Sequence, residues 1–256
     1  MRFDYCVMSD IGAVRSTNQD SSFAGIIGTR LGKAFFGIVC DGMGGLSDGG
    51  FASNTVVRIF SDWFYNEIKH ISENDVIGEI ICSQWHMLMD KSREIFIEHV
   101  GNSDRTMGTT LSALLIVNGK YYAAQVGDSR IYLFRNGLAT QITTDHSYVA
   151  ELAEKGLMTF DEANVAENKN ILTRCIGNMC KFSPDFYFGD VCHGDCFSIS
   201  SDGFHGGMIA SEMNGVLTEI FSVNGRKMRK ALEQSIVLKM EKGEKDNITA
   251  ICLKTL

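Results

Sequence analysis

The sequence predicts short strands that double back on one another, with helices set apart in blocks. Three observations carry this. Apolar strand-like runs are joined by turn residues, twice by Asn-Gly, at Asn118-Gly119 and Asn136-Gly137, a strong hairpin signal. Val56, Phe60, Trp63, Phe64 and Ile68 recur at helical spacing between two groups of strands. No internal repeat, low-complexity tract or linker interrupts the chain, so residues 1–256 read as one domain, long enough to bury a large core.

In chain order, Tyr5 to Met8 is a short strand. A polar loop follows, carrying Asp10, Arg15 and Asp20. Ser22 to Ile27 and Ala34 to Val39 pair as a hairpin through Gly28 and Gly32. After the first helix comes a second, with Ile77, Ile80, Ile81, Leu88 and Ile95 on its apolar stripe; Trp63 and Trp85 read as core residues of the two. Leu111 to Val117, Tyr121 to Val126, Ile131 to Phe134 and Leu138 to Ile142 form a meander. Tyr148 to Leu157 and Thr159 to Ala166 read as short helices. They lie in a stretch, Asp145 to Asn170, rich in charge and poor in apolar residues, which reads as a mobile surface flap. Ile171 to Ile176 and Asp185 to Val191 are strands flanking Pro184, the only proline. Cys196 to Ser200 is another strand, Met228, Ala231, Leu232 and Ile236 mark a last long helix, and Ile248 to Leu253 closes the chain.

The composition, 45% hydrophobic and 21% charged, is that of a globular protein. A net charge of −7 argues against sequence-independent nucleic-acid binding, which needs basic surface. It leaves open a phosphate-handling enzyme, because bound metal reverses the local field of an acidic site. No run of about 18 uncharged apolar residues is present, so nothing is expected to span a membrane. The opening MRFDYCVMSD lacks the apolar segment of a signal peptide. Eight cysteines without an export signal are expected as reduced thiols in the cytoplasm. Cys192 with Cys196, and Cys175 with Cys180, make a structural zinc site conceivable, but no C-x-x-C pair occurs and small core residues are the default reading.

The chemistry gathers around Phe35 to Gly45, FFGIVCDGMGG. An apolar strand ends at Asp41, and a buried strand fixes a carboxylate as a metal ligand or catalytic acid requires. Gly42, Gly44 and Gly45 let a backbone carbonyl or amide approach a ligand. The bland alternative is a strand followed by an Asp-Gly turn. The pattern recurs: Asp202 follows a strand and precedes Gly203, Asp128 follows a strand between Gly127 and Ser129, and Asp246 stands just before a strand. Converging at one edge, these carboxylates would repel strongly unless a cation neutralised them. An all-oxygen set suits hard cations, Mg²⁺ or Mn²⁺, and a binuclear site would polarise a phosphoryl group and supply hydroxide at neutral pH.

On these residues the chain resembles bacterial metal-dependent Ser/Thr protein phosphatases of the protein phosphatase 2C type. The matching segments are GAVRSTNQD, VCDGMGG, MGTTLSALL, AAQVGDSRIYLFRNG, TTDHSYVAELAEKG, NILTRCIG, ISSDGF and DNITAICL, in family order over nearly the whole chain. The resemblance implies an α+β fold, a four-layer αββα sandwich of two antiparallel sheets flanked by helices. The meander and separate helices are compatible with that architecture without choosing it. It also implies roles. Asp41 would bridge two metals, the Gly42 carbonyl would bind the second, Asp202 and Asp246 would complete the first site, and Asp20 would hold the second metal through water. Asp128 with Asp202 would bind a weaker third metal, and Arg15 would clamp the substrate phosphate, a role its planar fork suits.

The implied activity is hydrolysis of phosphoserine and phosphothreonine in phosphorylated proteins by metal-activated water, opposing a bacterial Ser/Thr protein kinase, in a monomer that binds neither nucleic acid nor membrane. No Cys or Ser nucleophile is required, so Cys40 reads as core. Many eukaryotic relatives carry His after the Asp-Gly pair; here Met43 stands there and cannot donate a proton. The general acid is therefore unassigned, with metal-bound water preferred and His146 a weaker candidate. The flap, about 147–170, is expected to influence substrate access, and its Glu151, Glu154, Asp161, Glu162 and Glu167 to disfavour acidic phosphosites. Two other functions compete: a non-catalytic phosphoprotein-binding regulatory relative, disfavoured by the full ligand set, and a hydrolase of small phosphate esters, disfavoured by the absence of a P-loop pattern.

Overall fold

A computed structural model of the chain describes residues 1–44, 48–72, 76–179 and 182–256. The element order is β1 (Phe3–Asp10), β2 (Asp20–Thr29), β3 (Gly32–Gly44), α1 (Asp48–Asn66), a 3₁₀ turn (Ile68–His70), α2 (Ile77–Val100), β4 (Met107–Thr109), β5 (Leu111–Val117), β6 (Lys120–Val126), β7 (Arg130–Arg135) and β8 (Leu138–Gln141). It continues with α3 (Tyr148–Glu154), α4 (Phe160–Val165), β9 (Ile176–Gly177), β10 (Asp185–Asp190), β11 (Cys196–Ser200), α5 (Asp202–His205), α6 (Ala210–Phe221), α7 (Arg226–Glu241) and β12 (Ile248–Thr255).

The strands form two antiparallel sheets. One runs β1-β12-β11-β7-β8; the other runs β10-β6-β5-β3-β4-β9, with β2 also paired to β3. Period-two alternation sorts β3 between layers. Phe35 and Val39 face the other sheet, meeting Ile131, Phe197, Ile199 and Ile251. Phe36, Ile38 and Cys40 face outward onto Phe60, Phe64, Trp85 and Met89 of α1 and α2. On the far side Met213, Leu217, Met228, Leu232 and Ile236 of α6 and α7 pack on Cys6, Ala250 and Cys252. Helices, sheet, sheet, helices: the architecture is the α+β αββα sandwich.

Trp63 and Trp85 meet edge to face, ring centroids 5.6 Å apart, as core residues of the two long helices. Asn118 and Asn136 take φ of 52° and 54°, each followed by a positive-φ glycine, so both Asn-Gly turns are of the type that matches strand twist. Three expectations change. First, β3 does not end before Asp41; it runs to Gly44, because Met107–Thr109 pairs with Gly42–Gly44, and Asp20 opens β2 instead of closing a loop. Second, of the stretch Ile171 to Ile176 only Ile176 is strand, in β9 with Gly177 following it; Leu172 makes an isolated bridge to Ser147 and roots the flap, while Ile171 stays exposed. Third, α6 is a helix the sequence reading passed over, although Met213, Leu217 and Ile220 repeat at helical spacing and are buried. The flap residues form α3 and α4, joined by their own small cluster of Val149, Ala153 and Ala163 and closed by a Thr159–Glu162 capping box. Gly45 and Cys180 lie outside the described residues.

Candidate metal centre

The site begins with a register. β2 and β3 pair so that Asp20 stands directly opposite Asp41. Like charges across a ladder repel, and this pair is not on the surface: Asp20 is buried and Asp41 only partly open. Three connections aim further carboxylates at the same place. Asp202 starts α5 just beyond β11, Asp246 lies just before β12, and Asp128 sits between β6 and β7. A cleft of about 260 Å³ is lined by Arg15, Asp41, Gly42, Asp128, Asp202 and Asp246.

The backbone here is held closely. The Asp41 N–H donates to Thr110 Oγ1 at 2.9 Å, and its carbonyl accepts from the Thr110 N–H and the Thr109 hydroxyl. Asn247, beside Asp246, accepts from the Gln19 N–H at 2.8 Å and donates to the carbonyls of Ile11 and Thr17, so it ties the Arg15 loop to the last strand. Gly42 is obligatory because a Cβ there would collide with the Gly49 and Gln19 carbonyls; Gly203 is so because a Cβ would collide with the Asn247 carbonyl.

Electrostatics follow from the packing. Burial first, then Asp20, Asp202 and Asp128, pushes the Asp41 carboxyl well above its ordinary range. Burial also raises Asp20, to about 7, against the hydrogen bonds it accepts from Thr249 and Ser201. Burial and then Asp202 raise Asp128; burial and then Asp246 raise Asp202. One oxygen of Asp20 and one of Asp202 are buried without any hydrogen-bond partner. Such atoms are costly, and a hard cation satisfies them. As placed, no three described Asp, Glu, His or Cys side chains close around a cation. Arg15 Nε and Nη2 donate to the two oxygens of Asp246, at 3.0 and 2.6 Å. The donor set still fits a divalent cation: it is all oxygen, mutually repelling, and partly orphaned.

All the residues expected at the site are brought together, but Arg15 meets Asp246 rather than open cleft. His146 is not brought there: it is buried, with both ring nitrogens engaged by Gly127 and Asp185. Cys40 is fully buried, its thiol pushed well above the usual range by burial and by Asp20 and Asp41, as suits a core residue. Cys192 is exposed while Cys196 is buried. Among the described residues these cysteines join no group that could hold zinc. Sequence reasoning missed Thr110, Asn247 and Ser201. Their signal was proximity: each adjoins a segment rich in the site's own motif residues.

The protein phosphatase 2C family model matches residues 13–237. Protein phosphatase PhpP of Streptococcus pneumoniae is 33% identical over 215 residues, 83% of each chain. A putative protein phosphatase 2C-type of Streptococcus pyogenes is 33% identical over 247 residues, 94% of this chain and 93% of that one. The solved S. agalactiae serine/threonine phosphatase superposes with a TM-score of 0.82 at 32% identity, covering 100% of both chains. The catalytic domain of phosphatase PstP, in complex with two manganese ions, superposes with a TM-score of 0.80 at 25% identity, over 99% of this chain and 98% of that one. The chain belongs to the protein phosphatase 2C family, and is thus a phosphatase enzyme dependent on divalent metal.

Proposed function

We propose that the protein hydrolyses phosphoserine and phosphothreonine in phosphorylated proteins. The observation that carries this is the buried carboxylate cluster with its orphaned oxygens, set in a cleft that Arg15 borders. In this reading Asp41, the Gly42 carbonyl, Asp20, Asp202 and Asp246 hold two divalent cations, Mn²⁺ or Mg²⁺, and Asp128 with Asp202 a weaker third. Such cations supply Lewis-acid charge and water acidic enough to attack at neutral pH. The chain's own residues do the rest. Arg15, more than half exposed in its side chain, can swing its fork from Asp246 to a phosphate, whose geometry it matches equally well. Met43 has no ionisable proton and His146 is committed elsewhere, so this reading assigns no side chain as general acid and leaves water bound in the cleft as the donor to the leaving oxygen.

Residues 1–256 act in this reading as one catalytic domain, monomeric and cytoplasmic, opposing a Ser/Thr protein kinase, with the flap of residues 147–170 setting selectivity against acidic phosphosites. No described helix is long and apolar enough to cross a membrane. The test is hydrolysis of a phosphothreonine peptide with Mn²⁺, with Mg²⁺ and with chelator, beside Asp41→Ala. Turnover that needs metal and vanishes in the variant is expected. A folded protein without turnover under any metal points instead to a non-catalytic phosphoprotein-binding relative. Faster turnover of nucleotides than of phosphopeptides would favour a small-ester hydrolase.

A further inference from the structure

Asp128 stands in a short loop, and a buried imidazole grips that loop from each side. His146 holds the first side. Its backbone N–H donates to the Gly127 carbonyl at 2.8 Å, and its Nδ1 lies 3.2 Å from the Gly127 nitrogen. An amide N–H only donates, so Nδ1 accepts from Gly127, while Nε2 lies 2.9 Å from Asp185 Oδ2 and 3.3 Å from Arg174 Nη1. Arg174 Nη1, 3.1 Å from Asp185 Oδ1, fixes that carboxylate in turn. His205 holds the second side. Its Nδ1 lies 3.0 Å from Ser200 Oγ, and the ring also bonds the backbone of Asp128. The ring thus meets Ser200 at the end of β11 and the backbone of Asp128.

His205 belongs to α5, the helix that Asp202 begins, and Ser200 ends β11. One ring therefore spans the peptide of Asp128 and the turn that carries Asp202. The span matters because the neighbouring carboxylates Asp202 and Asp145 repel Asp128. A lysine or arginine in either place would add a charge competing with any cation. An imidazole instead offers a nitrogen to each of two neighbours, and both rings here spend theirs on the loop of Asp128 and its surroundings.

We propose that His205 and His146 are positioning residues that fix Asp128 relative to Asp202, and so set the affinity of the weak third cation which that pair holds. This rests on the assignment of Asp128 and Asp202 made above. Partners that orient a ligand without touching the metal typically govern affinity by roughly 10- to 100-fold.

The test is Mn²⁺ titration of the full chain, with free Mn²⁺ followed by electron paramagnetic resonance and thermal midpoints recorded in chelator. Asp128→Asn is expected to abolish the weakest site. His205→Phe should weaken that same site about 10-fold or more, leaving the tighter pair and the midpoint close to wild type, and His146→Phe should act in the same direction. His205→Gln, which keeps a donor and an acceptor, should restore most of the loss; a general packing role would not be rescued this way. The proposal is overturned if His205→Phe binds the weakest Mn²⁺ as wild type does while Asp128→Asn does not. Should His205→Phe fail to fold, Ser200→Ala takes its place, and wild-type affinity there is equally fatal. If wild type takes up only two Mn²⁺, or Asp128→Asn changes nothing, the Asp128 assignment itself falls and the inference with it.

Discussion

Asp20 and Asp41 face each other across a ladder where little water reaches, an arrangement unfavourable to folding unless a cation offsets it. Replacing Asp20 with Asn should therefore stabilise the protein in chelator at about pH 8, by ~1–2 kcal/mol, while impairing metal-dependent turnover. The pH dependence has a definite sign. Asp20, raised to about 7, holds its proton more tightly folded than unfolded. The stability this gives is full below the unfolded value of about 4 and is lost as pH rises through about 7. In chelator the thermal midpoint should climb as pH falls from about 8 to about 5, less steeply in Asp20→Asn. Equal slopes in the two proteins would count against it. The cysteines give a second test at this scale. Burial pushes the Cys196 thiol to about 11, whereas Cys192 is exposed. Brief alkylation at about pH 8, read by peptide mass, should mark Cys192 and spare Cys196.

At the scale of elements, the site depends on backbones that approach more closely than a side chain allows. Gly203→Ala would push α5 away from β12 at the Asn247 carbonyl, with a cost of about 2 kcal/mol or more and a matching loss of activity. Denaturant midpoints and turnover measured together would show it; unchanged values would mean that the helix gives way. Thr159 opens the flap's second helix with a reciprocal N-terminal cap, and Thr159→Ala should cost that helix about 1 kcal/mol, seen as faster amide exchange confined to residues 159–166. Much of this scale was legible in sequence. The Asn-Gly turns, the stripe of the first long helix and the strand-end position of Asp202 could all be read from spacing alone. The extension of β3 through Asp41 could not, because its partner Met107–Thr109 lies far along the chain and pairs only in three dimensions. The same holds for Asp20 against Asp41: residue types named both as candidates, but only register sets them face to face. Arg15 shows the converse. Its chemistry suits phosphate and carboxylate alike, so sequence could not say that Asp246 would claim it.

At the scale of the molecule, five carboxylates from separated stretches of chain meet where the two sheets adjoin, so cation binding should stabilise the whole fold. At about 100 times its dissociation constant, a cation that binds only the folded state adds ~2.7 kcal/mol. Thermal midpoints should rise with Mn²⁺ concentration in wild type, and rise much less in Asp41→Ala. Flap residues contribute differently. Arg130, nearly buried, pairs with Asp145 at 2.7 Å and also holds Asn164, so the flap is fastened to β7 at its root and at α4.

The place of β12 has a consequence for biosynthesis. This last strand is not an edge: it lies between β1, the first, and β11, and Asn247 at its start ties down the loop of Arg15. A nascent chain emerging from the ribosome can pair β5 with β6 early, yet β1 must wait beside an open slot until β12 arrives. Asp246 is delivered in the same event. Until β12 pairs, the sheet lacks its middle strand and Asp246 is not yet beside the other carboxylates; a stop codon just before β12 would remove both.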